Sequence, residues 1–292
     1  MTLVNLKEAL SYAVDGEYAI GAFNLTGEDM LYGILDAAVQ ENSPVIVSIY
    51  EGHLPYLHFE SFMKLVVSES QAVNVPVVIF LDHATQMKTI YRAFQVGFTS
   101  VMYDGSLHDY SENISNTKHV CDIAHTLGIS VEAELGKISH VEHKGTVSKN
   151  RREFMTDPHL VPEFIKKTDI DALAISIGTV HGYYVGKSEI DFELLGMIKD
   201  CTETPLVLHG GTGLKDEEFL KAISLGIRKI NYGTGIFATS ADTARKILNN
   251  DPQLIIYQDV CMEIRKAVCN RVASYMRLWS SSGKSWLGKR VH

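Results

Sequence analysis

The stretch VPVVIFLDHATQMKTIYRAFQVGFTSVMY, residues Val75 to Tyr103, contains two short apolar runs separated by a helical pattern. The first run, Val77 to Asp82, is continuous and apolar up to its last residue, which is typical of a strand buried on both faces. The residues MKTIYRAFQVG then place apolar side chains at helical spacing and stop at a glycine. A second run follows from Ser100 to Tyr103. A strand, a helix and another strand in this order predict a parallel βαβ unit.

This unit recurs along the whole chain. The candidate strands are Tyr18 to Asn24, Val45 to Tyr50, Val77 to Asp82, Ser100 to Tyr103, Ile129 to Glu134, Ala172 to Ile177, Leu206 to His209 and Lys229 to Asn231. Helical patterns separate them, and several end at Pro or Gly just before the next run, as in ENSPVIV and TLGISVE. Eight such units predict an α/β fold, the (β/α)₈ TIM barrel. An open doubly wound sheet is the alternative, but YAIGAFNLTGEDM lacks its usual GxGxxG loop.

The length and composition favour one large core over two small ones. The chain has 292 residues, of which 46% are hydrophobic, so we expect residues 1–292 to form a single domain. The pattern from Pro252 to Trp279 repeats apolar residues at helical spacing and predicts a C-terminal helical extension. Its apolar face would pack against its own barrel or against another subunit.

The charge balance excludes two classes of principal partner. Lys and Arg number 27 against 35 Asp and Glu, which gives a net charge of −8 at pH 7. Nucleic acids and anionic membranes are bound by basic surfaces, so we expect neither as the main partner. The chain also shows no basic segment leading into an apolar run and no long apolar stretch. We therefore expect a cytoplasmic protein.

Polar residues stand at the ends of most predicted strands, where barrel enzymes carry their chemistry. They are Asn24, Asp82, His83, Asp104, Glu132, Glu134, His181, His209 and Asn231. A lone histidine at such a position is more often structural than a ligand. Three of them on one face are typical of a catalytic Zn²⁺ site, because three imidazoles hold the ion and leave a coordination position open. We therefore predict a metal site on His83, His181 and His209.

Glycines follow two of these strand ends, in HGGTG (209–213) and NYGTG (231–235). Without side chains, their backbone N–H groups can approach an anion, and the positive end of the following helix favours it. Barrel enzymes commonly hold phosphate in the loops after the seventh and eighth strands. The sequence thus predicts a phosphate site beside the metal.

Ordered motifs give the chain a resemblance to a known family. They are GAFN, PVVIFLDHA, VMYDGS, VEAELGKI, DALAISIGTVHG, PLVLHGGTGL, KINYGT and SSSGK. With these the chain resembles, nearly end to end, the class II metal-dependent fructose-bisphosphate and tagatose-bisphosphate aldolases of the shorter bacterial type. The resemblance implies a carbon–carbon lyase that reversibly cleaves a ketose 1-phosphate or 1,6-bisphosphate to dihydroxyacetone phosphate and an aldehyde.

The same resemblance implies roles for individual residues. Zn²⁺ would polarise the substrate carbonyl, Asp82 would exchange the proton of the C4 hydroxyl, and Glu142 would handle the proton at C3. Asp104 and Glu134 would offer a second ion position or hydrogen bonds to the ligands. The phosphate site would comprise Gly182, Gly210, Gly211, Thr212, Asn231 and Thr234. The family also implies Na⁺ or K⁺ on backbone oxygens near Val180, Gly182 and Gly210, and a homodimer or homotetramer.

Departures from the family pattern leave the substrate open. Ser139 and His140 stand where relatives usually carry two glycines, Val185 replaces a common Lys, and Gly233 replaces the Asp of fructose-bisphosphate enzymes. Fructose 1,6-bisphosphate, tagatose 1,6-bisphosphate and a ketose 1-phosphate with an unphosphorylated aldehyde end all remain.

Three other functions are alternatives to the aldolase. A noncatalytic companion subunit of a tagatose-bisphosphate aldolase would have little need for Asp82 and three ligands. A metal-dependent hydrolase would use a metal-bound water as its nucleophile. A Schiff-base aldolase needs a lysine buried among the inner ends of the barrel strands, and none of the eight predicted strands is expected to place one there.

Overall fold

The strands close into the predicted barrel. The computed structural model describes residues 2–140, 151–182, 190–253 and 256–287. Its barrel strands are β1 (Ile20–Asn24), β2 (Val45–Tyr50), β3 (Val77–Ala84), β4 (Ser100–Tyr103), β5 (Ser130–Leu135), β6 (Ala172–Ile175), β7 (Leu206–Leu208) and β8 (Ile227–Tyr232). Each pairs in parallel with the next, and β8 pairs with β1. The (β/α)₈ prediction is confirmed, and closure rules out the open doubly wound sheet.

A helix follows every strand of the barrel. The α-helices are α1 (Leu6–Asp15), α2 (Glu28–Gln40), α3 (Phe59–Ala72), α4 (Met87–Val96), α5 (Tyr110–Thr126), α6 (Val161–Thr168), α7 (Phe192–Asp200), α8 (Asp216–Ser224), α9 (Thr234–Asn250) and α10 (Tyr257–Leu278). Short 3₁₀ helices cover Glu51–Tyr56, Arg151–Phe154 and Pro158–Leu160. None of the helices in the described ranges combines the length and apolar character that a membrane span requires.

The predicted strand positions are correct within about two residues, and the largest informative difference is in β3. This strand continues past Asp82 to Ala84. His83 lies in it at a φ of 47°, and the pairing with β4 shifts register between Leu81 and Ala84. A positive φ is strained for a side-chain-bearing residue, and such strain concentrates at functional sites. The irregularity turns the His83 ring to a direction that a regular strand would not give it.

Helix α1 closes one end of the barrel. Its buried residues pack against interior side chains such as Ile46 and Phe80 in a separate apolar cluster. The backbone N–H of Leu6 donates to Ser100 Oγ at 2.8 Å, and that of Lys7 donates to Ser130 Oγ at 3.0 Å. These hydroxyls satisfy N–H groups in the first turn that have no partner within the helix. With this end closed, the polar residues at the carboxyl ends of the strands face the other, open end.

The C-terminal helix α10 packs on its own barrel, mainly against α2. A Cβ on Gly33 would lie 2.9 Å from Val268, so glycine permits the close contact between the two helices. Arg265 adds a bidentate ion pair with Asp36, at 2.5 and 2.8 Å. Trp279, fully buried, stacks on Phe23 with ring centroids 5.8 Å apart. The predicted helical extension is therefore confirmed, and its apolar face is covered within the chain.

Candidate metal centre

Three imidazole rings meet at the open end of the barrel. His83 lies in β3, His209 follows β7, and His181 belongs to a two-residue strand, Val180–His181, that pairs with Ser139–His140. His83 Nε2 lies 3.2 Å from His181 Nε2 and 2.8 Å from His209 Nδ1. Nitrogens bound to one tetrahedral Zn²⁺ lie about 3.3 Å apart, given Zn–N bonds of about 2.0–2.1 Å. The three rings could hold one metal ion.

The other nitrogen of His83 faces carboxylates. His83 Nδ1 lies 2.8 Å from Asp104 Oδ2 and 3.8 Å from Glu134 Oε2. A hydrogen bond from Nδ1–H to Asp104 leaves the Nε2 lone pair available to a metal, the arrangement typical of carboxylate–histidine–metal sites. His83, Asp104 and Glu134 also form a second group that could hold an ion. The residues predicted for a second position are therefore brought together around the same ring.

His209 is oriented by a carboxylate of its own. The ring is fully buried, and its Nε2 lies 2.9 Å from Glu132 Oε1. With Nε2–H donating to Glu132, the lone pair of Nδ1 points towards His83 Nε2. Glu132 is itself fully buried and contacts Lys229 Nζ through both oxygens, at 2.8 and 3.1 Å. An ion pair thus anchors the carboxylate that orients this ring.

Asp82 lies beside the metal candidates and is held by two amides. Asn24 Nδ2 donates to Asp82 Oδ2 at 2.8 Å, and Asn231 Nδ2 donates to Oδ1 at 3.0 Å. Lys229 Nζ donates to Asn231 Oδ1 at 2.6 Å, which orients the NH₂ group of that amide towards Asp82. Lys229 therefore contacts both the partner of His209 and the partner of Asp82.

The buried charges favour a cation at this position. Burial lowers the pKa of His83, but nearby carboxylates, with Asp82 the strongest, outweigh burial and raise the pKa to about 9. Burial raises the pKa of Glu134 to about 8, and the charge of Asp104 adds to this effect. Burial and the charge of His83 hold the pKa of His209 well below its usual value. The surroundings thus stabilise positive charge at His83, which a metal ion on Nε2 would supply in place of the second proton, and they keep His209 neutral, as metal ligation requires.

A cavity of about 590 Å³ opens above the three rings, and its lining includes all six residues predicted for the phosphate site. Gly210 has a φ of 72°, and a Cβ there would lie 2.4 Å from the Val180 carbonyl oxygen, so only glycine fits. Thr212 Oγ1 accepts a hydrogen bond from Gly235 N at 3.0 Å, which joins this loop to the start of α9. The N-terminus of a 17-residue helix therefore faces the glycine loop, a combination that favours anions.

Two of the three departures from the family pattern can be located in the structure. Gly233 lies so close to Asn24 that a Cβ would stand 2.6 Å from its Oδ1, so a larger residue would displace an amide that holds Asp82. The backbone of Ser139–His140 pairs with the strand that carries His181. Glu142 and Val185 lie outside the described residues.

The structure corrects the expectation about lysine. Lys229 is fully buried in β8, inside the barrel, although the sequence analysis expected no buried lysine. The alternation of Lys229 with Asn231 along one strand was the available signal, because such residues share a face. Its Nζ is engaged as a hydrogen-bonded ammonium with Glu132 and Asn231 rather than presented as a free amine. Tyr50, His53 and Phe237 also line the cavity, although no sequence pattern predicted them as site residues.

Comparisons with known proteins agree with this architecture. The family described as fructose-bisphosphate aldolase class-II matches residues 4–284. A fructose-bisphosphate aldolase of Geobacillus stearothermophilus is 38% identical over 288 residues, which are 98% of this chain and 99% of that protein. The protein YdjI of Escherichia coli K12 is 39% identical over 274 residues, or 94% and 96% of the two chains.

Solved structures give the same result. The crystal structure described as the YdjI aldolase of Escherichia coli K12 superposes with a TM-score of 0.86 at 36% identity, covering 97% of this chain and 99% of that one. A fructose-bisphosphate aldolase structure from Campylobacter jejuni, at 21% identity, shares the fold with a TM-score of 0.82 over 97% of each chain. Since both the family match and the relatives span nearly the whole sequence, the chain belongs to the class-II fructose-bisphosphate aldolase family.

Proposed function

We propose that this protein is a metal-dependent aldolase that cleaves a ketose 1-phosphate or 1,6-bisphosphate to dihydroxyacetone phosphate and an aldehyde. The observation that carries the proposal is the convergence of three imidazole rings, in which His83 Nε2 lies 3.2 Å from a nitrogen of His181 and 2.8 Å from a nitrogen of His209, next to the buried carboxylate of Asp82. A Zn²⁺ ion held by these nitrogens would supply a Lewis acid for the oxygen on which charge develops. This is the chemistry that cleavage beside a carbonyl needs.

Asp82 is the group proposed to move the proton of the C4 hydroxyl. As the C3–C4 bond breaks, its electron pair stays with C3 and the adjacent carbonyl, and the C4 oxygen loses its proton to become the aldehyde. A carboxylate within hydrogen-bond reach can accept that proton. The amides of Asn24 and Asn231 fix both Asp82 oxygens, at 2.8 and 3.0 Å, and so hold the base in one orientation.

The remaining assignments concern binding. We propose that the 1-phosphate is held by the backbone N–H groups of the Gly210–Thr212 and Gly233–Thr234 segments, with Gly182 and Asn231 nearby. Glu142 is proposed to exchange the proton at C3, and backbone oxygens near Val180 to hold Na⁺ or K⁺. We further propose a single domain, a cytoplasmic location and a homodimer or homotetramer.

The reaction class is tested by product analysis. Protein loaded with Zn²⁺ is incubated with fructose and tagatose 1-phosphates and 1,6-bisphosphates, and dihydroxyacetone phosphate and inorganic phosphate are measured separately. We expect dihydroxyacetone phosphate from at least one ketose and no inorganic phosphate. Inorganic phosphate without carbon–carbon cleavage would identify a hydrolase. Zinc binding without any product would contradict the proposal and favour the companion subunit.

A further inference from the structure

The cavity has an aromatic wall beyond Asp82, which we define as Tyr50, His53 and Phe237. Tyr50 ends β2 and is paired in register with Asp82 on β3. The His53 ring meets Tyr50 edge-on, with centroids 5.0 Å apart, and meets Phe237 edge-on at 5.1 Å. The aromatic wall therefore runs from the strand beside Asp82 across to the first turn of α9.

The aromatic wall lies where the aldehyde end of the substrate would bind. This inference rests on the proposed function. The proposed 1-phosphate site lies in the loops after β7 and β8, and Asp82 acts at C4. Atoms beyond C4 belong to the aldehyde product. Tyr50 is the in-register neighbour of Asp82, and its ring lies 6.1 Å from that of His83. The aldehyde end of a bound ketose would thus pass along Tyr50 and His53.

This part of the cavity is unsuited to a second phosphate. No Lys or Arg belongs to the cavity lining within the described part of the chain. The one carboxylate among the described lining residues is that of Asp82, the in-register neighbour of Tyr50. A second phosphate dianion here would find no Lys or Arg side chain among the described lining residues, and an anion without such a partner is disfavoured.

His53 instead provides a neutral hydrogen-bonding group. Its Nδ1 is buried and finds no hydrogen-bond partner among the described residues. Burial lowers the pKa of this imidazole, so the ring is uncharged at neutral pH. Buried polar atoms in proteins are nearly always hydrogen-bonded, and because His53 lines the cavity, a turn of its ring would bring Nδ1 to a ligand group. A sugar hydroxyl can serve as either donor or acceptor to a neutral imidazole.

We infer that this site selects a ketose 1-phosphate whose aldehyde end carries hydroxyl groups and no second phosphate, with Tyr50 and His53 as the residues that determine this specificity. Fructose 1-phosphate and fructose 1,6-bisphosphate form the matched test pair, since they differ only in the phosphate at C6. Tagatose 1-phosphate and tagatose 1,6-bisphosphate form a second pair with the opposite configuration at C4.

The experiment measures kcat/KM for both pairs with zinc-loaded protein. Wild-type protein is expected to favour the better 1-phosphate over its bisphosphate by about tenfold or more, the scale of discrimination that charged groups without partners produce. His53→Ala should reduce kcat/KM for the 1-phosphate by about three- to tenfold, the loss of one neutral hydrogen bond. The ratio between the pair should shrink with it. His58→Ala, an exposed histidine of the same loop, is the matched control and should leave the ratio unchanged.

The outcomes separate the inference from the function on which it rests. A bisphosphate cleaved as well as or better than its 1-phosphate would overturn the selectivity while leaving the aldolase intact. An unchanged ratio in a folded His53→Ala protein would remove His53 from the specificity site, and Tyr50→Ser tests the other residue in the same way. Absence of cleavage in both pairs, together with no exchange of the C3 proton of dihydroxyacetone phosphate, would overturn the proposed function itself.

Discussion

Replacement of Asp82 with Asn is expected to lower the rate of carbon–carbon cleavage by about 10²–10⁴-fold, the usual contribution of a positioned general base. The amide cannot accept the C4 proton. It also carries an NH₂ group where Asp82 now accepts hydrogen bonds from Asn24 and Asn231, at 2.8 and 3.0 Å. The measurement is kcat for ketose cleavage with zinc-loaded protein, accompanied by zinc stoichiometry.

A half-reaction provides the control for Asp82→Asn. Exchange of the C3 proton of dihydroxyacetone phosphate with solvent requires the metal and the 1-phosphate site but no proton transfer at C4. We expect this exchange to persist in the variant while cleavage is lost. If the variant cleaved ketose phosphates at the wild-type rate, Asp82 would not be the base, and the two amides would serve only to satisfy a buried carboxylate.

Lys229→Met is expected to destabilise the protein by about 3–5 kcal/mol, because it leaves a buried carboxylate without its cation. Lys229 and Glu132 are both fully buried and lie 2.8 Å apart. The loss should also weaken zinc binding, since Glu132 orients His209 and Lys229 orients Asn231. Urea unfolding of metal-free protein gives the stability, and zinc titration gives the affinity.

A second substitution distinguishes charge from packing at Lys229. In the double variant Lys229→Met, Glu132→Gln, the buried charge is gone and the amide oxygen can still accept from His209. Much of the lost stability should return, and a double-mutant cycle measures the coupling. If Lys229→Met changed stability by less than about 0.5 kcal/mol, the range of ordinary surface substitutions, the ion pair would have no structural role.

The sequence predicted the barrel because its signals are local and repeated. Continuous apolar runs such as Val77 to Asp82, and the Pro or Gly that precedes several of them, are visible in the sequence without any knowledge of distant contacts. The convergence of His83, His181 and His209 follows from the barrel rule that places strand ends on one face. Their mutual distances, and the use of Nδ1 by His209, depend on the bulge at His83 and on Glu132, which no local pattern encodes.

The features that the sequence did not predict are contacts between residues from distant segments of the chain. In the sequence, Lys229 is only the polar first residue of a short predicted strand. The fold brings it into contact with Glu132, which lies 97 positions earlier in the chain. In the sequence, His53 is only a histidine in a loop. The fold places Phe237, at the start of α9, against its ring. Such pairings are set by barrel closure rather than by spacing along the chain. Glu142 remains a prediction, since it lies outside the described residues.

We propose that the three imidazoles form the metal centre on which cleavage depends. This is tested most directly by removing the metal with a chelator and titrating Zn²⁺ back while release of dihydroxyacetone phosphate is monitored. We predict that cleavage disappears when the metal is removed and returns in proportion to added zinc, reaching its maximum at about one ion per chain. His181→Ala should fail to regain it. Cleavage that survives complete removal of metal would contradict the assignment of His83, His181 and His209.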